Sequence, residues 1–266
     1  MAALNNTYDT TLLRQETAAG AAVQILLLAL LGTAPGLGLA GWLTGLAFAF
    51  ATWAVLTRAV CRAWLRSFGA ANRVTLARAT LVGGVTALVA DSFQSHSFQG
   101  YSFQGSPHVP ALVALTTVAL ILDAVDGKVA RRTGTASPLG ARFDMEVDAF
   151  LILVLSVYVA ASLGPWVLTI GAMRYAFVAA ARVLPWLSGA LPVSTARKAV
   201  AALQGIVLLV AAAGVLPGPV AIALVCVALA LLLWSFGRDI RWLWRVRLRH
   251  TDRPATAVRR PTHVDA

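Results

Sequence analysis

The sequence predicts an all-α, polytopic membrane helix bundle, on three observations. Hydrophobic residues make up 59% of the 266 positions and charged residues only 12%, with a mean hydropathy of +0.76, far from the roughly one-quarter charged composition of soluble domains. Apolar runs of spanning length, roughly 20 residues each, fall at about 18–34, 38–57, 74–90, 109–130, 145–163, 166–187, 199–215 and 220–236, eight in all. The cations are distributed asymmetrically. With both termini cytoplasmic, the outer connections 35–37, 91–108, 164–165 and 216–219 hold no Lys or Arg, whereas the inner ones hold most of them, as expected when cations near helix ends are retained inside.

In chain order, residues 1–57 read as a polar lead, "MAALNNTYDTTLLRQE", followed by a transmembrane hairpin. The long lead and the adjacent second run argue against a cleaved signal peptide. Residues 58–71 place Arg58, Arg62 and Arg66 four apart on one helical face, with Val60 and Trp64 on another, the pattern of an amphipathic helix lying in the membrane interface. The remaining six runs lie within 72–237. Between the third and fourth runs, "SFQSHSFQGYSFQGS" repeats SFQ at a five-residue period that suits neither helix nor strand, and it reads as a repeat-expanded linker. Residues 238–266 are expected to form a second basic interfacial helix, with Arg238, Arg241, Arg245 and Arg249 beside Trp242 and Trp244, then a disordered polar tail.

The formal charge of +11 does not imply nucleic acid, because the cations border membrane helices, where anionic headgroups are the nearer partner. Cys61 and Cys226 are far apart and lack metal-like spacing.

The most unusual stretch is "DAVDGKVARRTGTASPLGARFDMEVD", residues 123–148, which starts in one apolar helix and ends in the next with five acidic side chains. Asp123 and Asp126 are three apart and Asp144 and Asp148 four apart, so each pair shares a helical face. The connection "RRTGTASPLG" holds two Gly and a Pro, which lets the helices fold back and bring the carboxylates together. Asp123 lies about 12 Å inside Arg131 along the helix. Carboxylates converging in a low dielectric repel one another unless protonated or neutralised, and oxygen-bound hard cations, Mg²⁺ or Mn²⁺, are the usual neutraliser. Charge alone leaves two other readings open: ion pairs with Arg131, Arg132 and Arg142, or carboxylates on the path of a membrane ion or metal transporter. The four aspartates cluster at one end of their helices, whereas transport needs acids across the bilayer.

The spacing is more specific. D-x-x-D-G-x-x-A-R-x8-G-x3-D-x3-D fixes eight positions from Asp123 to Asp148, with a chance expectation on the order of 10⁻⁸ at ordinary residue frequencies. It resembles the complete motif of the CDP-alcohol phosphatidyltransferases, and "NRVTLARA" resembles the N-x-x-T-x-x-R start of that family's first core helix. The resemblance implies a six-helix core over residues 72–237, preceded here by two extra N-terminal transmembrane helices. It implies an integral membrane enzyme of phospholipid synthesis, in a bacterial plasma membrane with a cytoplasmic active site. The enzyme would transfer a phosphatidyl group from CDP-diacylglycerol or a similar CDP-lipid to a small alcohol, releasing CMP. Two divalent ions would be held by Asp123, Asp126, Asp144 and Asp148, with Asp148 also the general base, and a homodimer is expected by analogy. Gly127, Ala130, Arg131 and Gly140 would cradle the cytidine diphosphate, and Asn72, Thr75 and Arg78 would shape the cavity.

Arg174, Arg182, Arg197 and Lys198 stand at positions similar to cations that receive a phosphorylated acceptor in the phosphatidylglycerophosphate and phosphatidylinositol-phosphate synthases, so such an acceptor is expected. Tyr175 stands where glycerophosphate-using members often carry an acidic residue. Lys128 and Glu146 are read as structural. A catalytically silent scaffold is the remaining alternative, disfavoured because every motif position is present.

Overall fold

The computed structural model describes the backbone of residues 2–63, 70–95, 107–133, 138–189, 191–192 and 194–251, and the side chains of 18–58, 73–94, 107–125, 140–189, 191–192 and 194–248. The described residues form eight α-helices and no strand: α1 (Ala2–Thr33), α2 (Leu39–Ala63), α3 (Ala70–Ser95), α4 (His108–Thr133), α5 (Pro138–Leu163), α6 (Leu168–Val183), α7 (Thr195–Ala212) and α8 (Gly218–Thr251). Short 3₁₀ turns at Pro165–Val167 and Pro185–Ser188 flank α6, each opened by a proline whose missing N–H suits a helix start.

Seven of these helices are long and apolar enough to cross a bilayer. In α1 the described side chains begin at Ala18, and Ala18–Thr33 is an apolar helical segment that coincides with the first expected run. Two differences concern the interfacial helices. The stretch from Arg58 starts as a continuation of α2, which remains helical to Ala63; residues 64–69 of the expected amphipathic helix lie outside the described residues. At the other end no break separates the last span from the basic segment. α8 runs for 34 residues, about 51 Å, well beyond the ~30 Å of a hydrocarbon core. Isolated Gly237 does not interrupt the helix, whose one proline, Pro219, lies in the first turn. The SFQ repeat beyond Ser95 and the tail beyond Thr251 fall outside the described residues.

α3 is the central helix. Two-thirds of its spanning window is buried, against 17% for α2, and it packs against α1, α2, α4 and α5. Lipid is as apolar as a leucine side chain, so helices in a membrane associate through close van der Waals packing, which small residues permit. α3 supplies them: a Cβ at Gly83 would sit 2.6 Å from both the Gln24 amide and the Phe48 ring, and one at Gly84 2.9 Å from Leu27. On the other side of the bundle, Gly171 brings α6 against the α5 backbone at Leu153, and Gly205 brings α7 against Leu120 of α4. Val82, Val85 and Leu88 of α3, Leu112 of α4, and Leu151 and Leu155 of α5 form the buried core between these contacts.

At the end of the bundle away from residues 123–148, side chains of α3 cap the N-terminus of α2. Asp91 accepts from Gly38 N at 2.8 Å, and Gln94 accepts from Ala40 N at 2.9 Å. These backbone donors would otherwise lack an intrahelical partner. Asp91 also meets His108 Nε2, at the start of α4, at 3.2 Å. Both residues are buried, so one carboxylate ties the N-terminal hairpin to α3 and α4. Asp91→Ala removes the acceptor of the part-buried Gly38 N–H and strands a buried imidazole, and a stranded buried group costs about 1–3 kcal/mol. Thermal unfolding of detergent-solubilised protein should show a clear drop in Tm for this variant, and a smaller one for Asp91→Asn, which retains an acceptor.

Candidate active site

The site is built where α3, α4 and α5 meet. Arg78 of α3 has no exposed side-chain surface, and a buried guanidinium in a membrane helix needs anionic partners. It finds three. Nη1 donates to Asp123 Oδ1 at 2.6 Å, and Nη2 donates to Asp148 Oδ1 at 2.7 Å and to the Asp144 backbone carbonyl at 3.1 Å. Asp144 Oδ1 lies 2.7 Å from the same nitrogen as an ion-pair contact. The planar fork of arginine suits such a role, because it offers donors in several fixed directions from one charge.

Helical periodicity explains the geometry. Asp144 and Asp148 are one turn apart on α5 and face the same way, while Asp123 reaches inward from α4. Arg78 lies behind them, and the carboxylates keep exposures of 38%, 27% and 42% for Asp123, Asp144 and Asp148. The cluster is therefore sealed on one side by an arginine and open on the other.

One oxygen from each of the three carboxylates falls within 4.8 Å of the others, close enough to share a metal ion. The donors are all hard oxygens, which suit Mg²⁺ or Mn²⁺ better than zinc or copper. Among the described residues, three carboxylates converge on one guanidinium, and a divalent cation is the kind of ligand that carboxylates gathered this closely accept. The residues present thus fit a hard divalent ion approaching from the open side.

Of the other expected site residues, Thr75 is buried one turn before Arg78, and Gly140 is half-buried at the start of α5. The side chains of Asp126, Gly127, Ala130, Arg131 and Asn72 lie outside the described residues, as does Lys128. Ion pairing with Arg142 is not what balances the cluster: Arg142 is exposed, and among the described residues the counter-charge is Arg78. Arg131 and Arg132, the other two cations of that expectation, lie outside the described side chains.

The expected acceptor cations are spread along the neighbouring helices. Arg174, on α6, donates through Nη2 to Glu146 Oε1 at 2.6 Å, with side-chain exposures of 33% and 57%. Arg182 is exposed in the last turn of α6. Arg197 pairs with Asp239 of α8 at 3.3 Å and donates to the Pro192 carbonyl. Lys198 is exposed. Sequence reasoning missed the Arg78 counter-charge and the Glu146–Arg174 pair. The available signal was an arginine inside an apolar run, which must find an anion somewhere in the bundle.

Fold and site together define an integral membrane protein with a cluster of three carboxylates that could hold a divalent cation near one end of its helix bundle. A family model for the CDP-alcohol phosphatidyltransferases matches residues 68–234, more than half of the chain and the whole of the carboxylate cluster. The chain belongs to the CDP-alcohol phosphatidyltransferase family, whose members transfer a phosphatidyl group from a CDP-alcohol to an alcohol in the membrane and depend on divalent metal. Neither a curated protein sequence nor a solved structure matches it significantly.

Added Mg²⁺ or Mn²⁺ should raise the melting temperature of the purified protein, because a ligand that binds only the folded state contributes about 2.7 kcal/mol at 100 times its Kd. Asp144→Asn, which removes one of the three converging carboxylates, should abolish or strongly reduce that rise while the metal-free Tm stays near the parent value. An undiminished rise would show that the ion binds elsewhere.

Proposed function

We propose that this protein transfers the phosphatidyl group of CDP-diacylglycerol, or a similar CDP-lipid, to a phosphorylated alcohol such as glycerol 3-phosphate or inositol phosphate, releasing CMP. The observation that carries this reading is the convergence of Asp123, Asp144 and Asp148 on Arg78, inside a motif that specifies the donor chemistry. The cation-rich helix ends support a cytoplasmic site and cytoplasmic termini in a bacterial plasma membrane.

In this reading Asp123, Asp126, Asp144 and Asp148 hold two divalent ions, Mg²⁺ or Mn²⁺, which when bound neutralise the donor's diphosphate and make its phosphorus more electrophilic. Gly127, Ala130 and Gly140 let the cytidine diphosphate approach the helix backbone closely, and Arg131 pairs with phosphate. Thr75 lies on the same face of α3 as Arg78, and Asn72 two turns before Arg78. Asp148, partly exposed and oriented by Arg78, accepts the proton of the acceptor hydroxyl. The hydroxyl oxygen then forms its bond to the lipid-side phosphorus, the bond from that phosphorus to the CMP oxygen breaks, and CMP leaves with the bonding pair. The buried Arg78 holds Asp148 in one orientation, which such a transfer needs, since a general base must lie within hydrogen-bond reach of its proton. A homodimer fits the family pattern.

The direct test is CMP release from CDP-diacylglycerol by purified protein with Mg²⁺, screened against glycerol 3-phosphate, inositol phosphate, inositol, glycerol and serine. Release should need metal and one phosphorylated acceptor. Asp148→Asn should lower kcat by about 10²–10⁴-fold, the usual contribution of a positioned base, with the helical content unchanged. Near-normal turnover in that variant would remove the base assignment, and turnover with only neutral alcohols would remove the acceptor class.

A further inference from the structure

Glu146 sits between two of the motif aspartates in sequence, yet it faces a different neighbour. Positions 144 and 148 share a helical face, whereas 146 is displaced by about 200° from Asp144, which points it away from Arg78 and toward α6. There it accepts from Arg174 Nη2 at 2.6 Å. Gly171, whose Cβ would lie 2.6 Å from the Leu153 backbone, brings α6 close to α5 and so holds Arg174 within reach of Glu146.

The pairing is incomplete in an informative way. The Nε–H and one Nη2–H of arginine lie side by side along one edge of the guanidinium, spaced to meet two oxygens of a carboxylate or phosphate together. Here Glu146 engages that edge through Nη2 alone. Nε of Arg174 is buried and has no hydrogen-bond partner among the described residues. A buried donor left in this state is unfavourable, so the edge favours a ligand with a second oxygen at hand. Glu146 itself is the more exposed member of the pair, so it can swing into water without crossing the core.

We propose that Glu146 is a specificity-determining residue that holds the Nε/Nη2 edge of Arg174 as an internal stand-in for the acceptor's phosphate, and is displaced when that phosphate binds. This rests on the phosphorylated-acceptor reading above. A dianionic phosphate fills both donors of the edge and exceeds the carboxylate in charge, whereas a neutral alcohol leaves Arg174 on Glu146. Glu146 therefore weakens binding of every acceptor that must displace it, and a phosphate overcomes it best.

The test is steady-state kinetics on the full-length protein in Mg²⁺ with CDP-diacylglycerol, using glycerol 3-phosphate and inositol phosphate as probes, for the parent, Glu146→Gln, Arg174→Gln and Arg174→Lys. Removing the competing charge in Glu146→Gln should lower the KM of the productive phosphorylated acceptor roughly three- to fivefold, the size of one partly exposed ion pair, with the donor KM as the internal control. Arg174→Gln should raise acceptor KM by at least about tenfold, as loss of a charge-assisted pair does. Arg174→Lys, which keeps the charge but not the edge, should fall short of full recovery. A raised or unchanged acceptor KM in Glu146→Gln overturns the stand-in role while leaving the acceptor class intact. Turnover of glycerol or inositol, with neither phosphorylated probe used by the parent, overturns the acceptor class and this inference with it.

Discussion

The structure depends on a single buried arginine. Arg78 lies in the most enclosed helix of the bundle, without exposed surface, and gathers carboxylates from two other helices. Each side of this contact needs the other. Without anions, a guanidinium at this depth would carry a large desolvation penalty, and without the guanidinium, three carboxylates a few ångströms apart would repel. The pairing thus fixes the relative placement of α3, α4 and α5 and does so at the position where the chemistry needs its acids. It also leaves the three carboxylates partly exposed on the side away from Arg78, where a cation could reach their oxygens.

Given that constraint, the central position of α3 follows. One face of the helix carries Thr75 and Arg78 toward the site, and the rest is covered on the other side by α1 and α2 through Gly83, Gly84 and the Asp91 cap. The N-terminal hairpin lies largely before the region that defines the family, which starts at residue 68, yet it is joined to the core by polar contacts to Asp91 and Gln94 as well as packing. Polar contacts of this kind are directional and fix how far α2 can slide along α3, which van der Waals contact between apolar helices does poorly.

Much of this architecture was legible in the sequence because it is local. Apolar runs gave the helices, and the spacing of Asp123, Asp144 and Asp148 gave the face on which they meet. What escaped prediction involves partners distant in sequence. Arg78 is 45 residues from Asp123 and 70 from Asp148, Arg174 is 28 from Glu146, and Asp91 is 53 from Gly38. Periodicity assigns each of these residues a face but does not say which helix that face meets. The continuity of α8 is not legible for a different reason. A change from apolar to basic composition at Arg238 marks a change of surroundings along a helix and not the end of the helix itself. Composition sets the environment of a helix, whereas termination needs a backbone signal such as proline, which this stretch lacks.

The cations around α6 and α7 differ in how they are held, and on the proposed reading that difference has a use. Arg182 and Lys198 are exposed, so solvent screens their short-range attraction, but they still add to the field that draws an anion toward the bundle. Arg197 is tied to Asp239 and to the Pro192 carbonyl, which serves the α7–α8 contact more than ligand capture. Arg174 alone combines partial burial, a fixed partner and an incompletely filled edge. Arginine has much rotamer freedom to lose on binding, and a side chain already ordered by Glu146 has lost most of it before the ligand arrives. Exchange of one oxygen ligand for another on an ordered guanidinium then costs less than ordering a free one. An internal carboxylate at this position therefore lowers affinity through competition for the guanidinium and raises it through pre-organisation, and the partial exposure of the pair, which screens it, keeps the carboxylate displaceable.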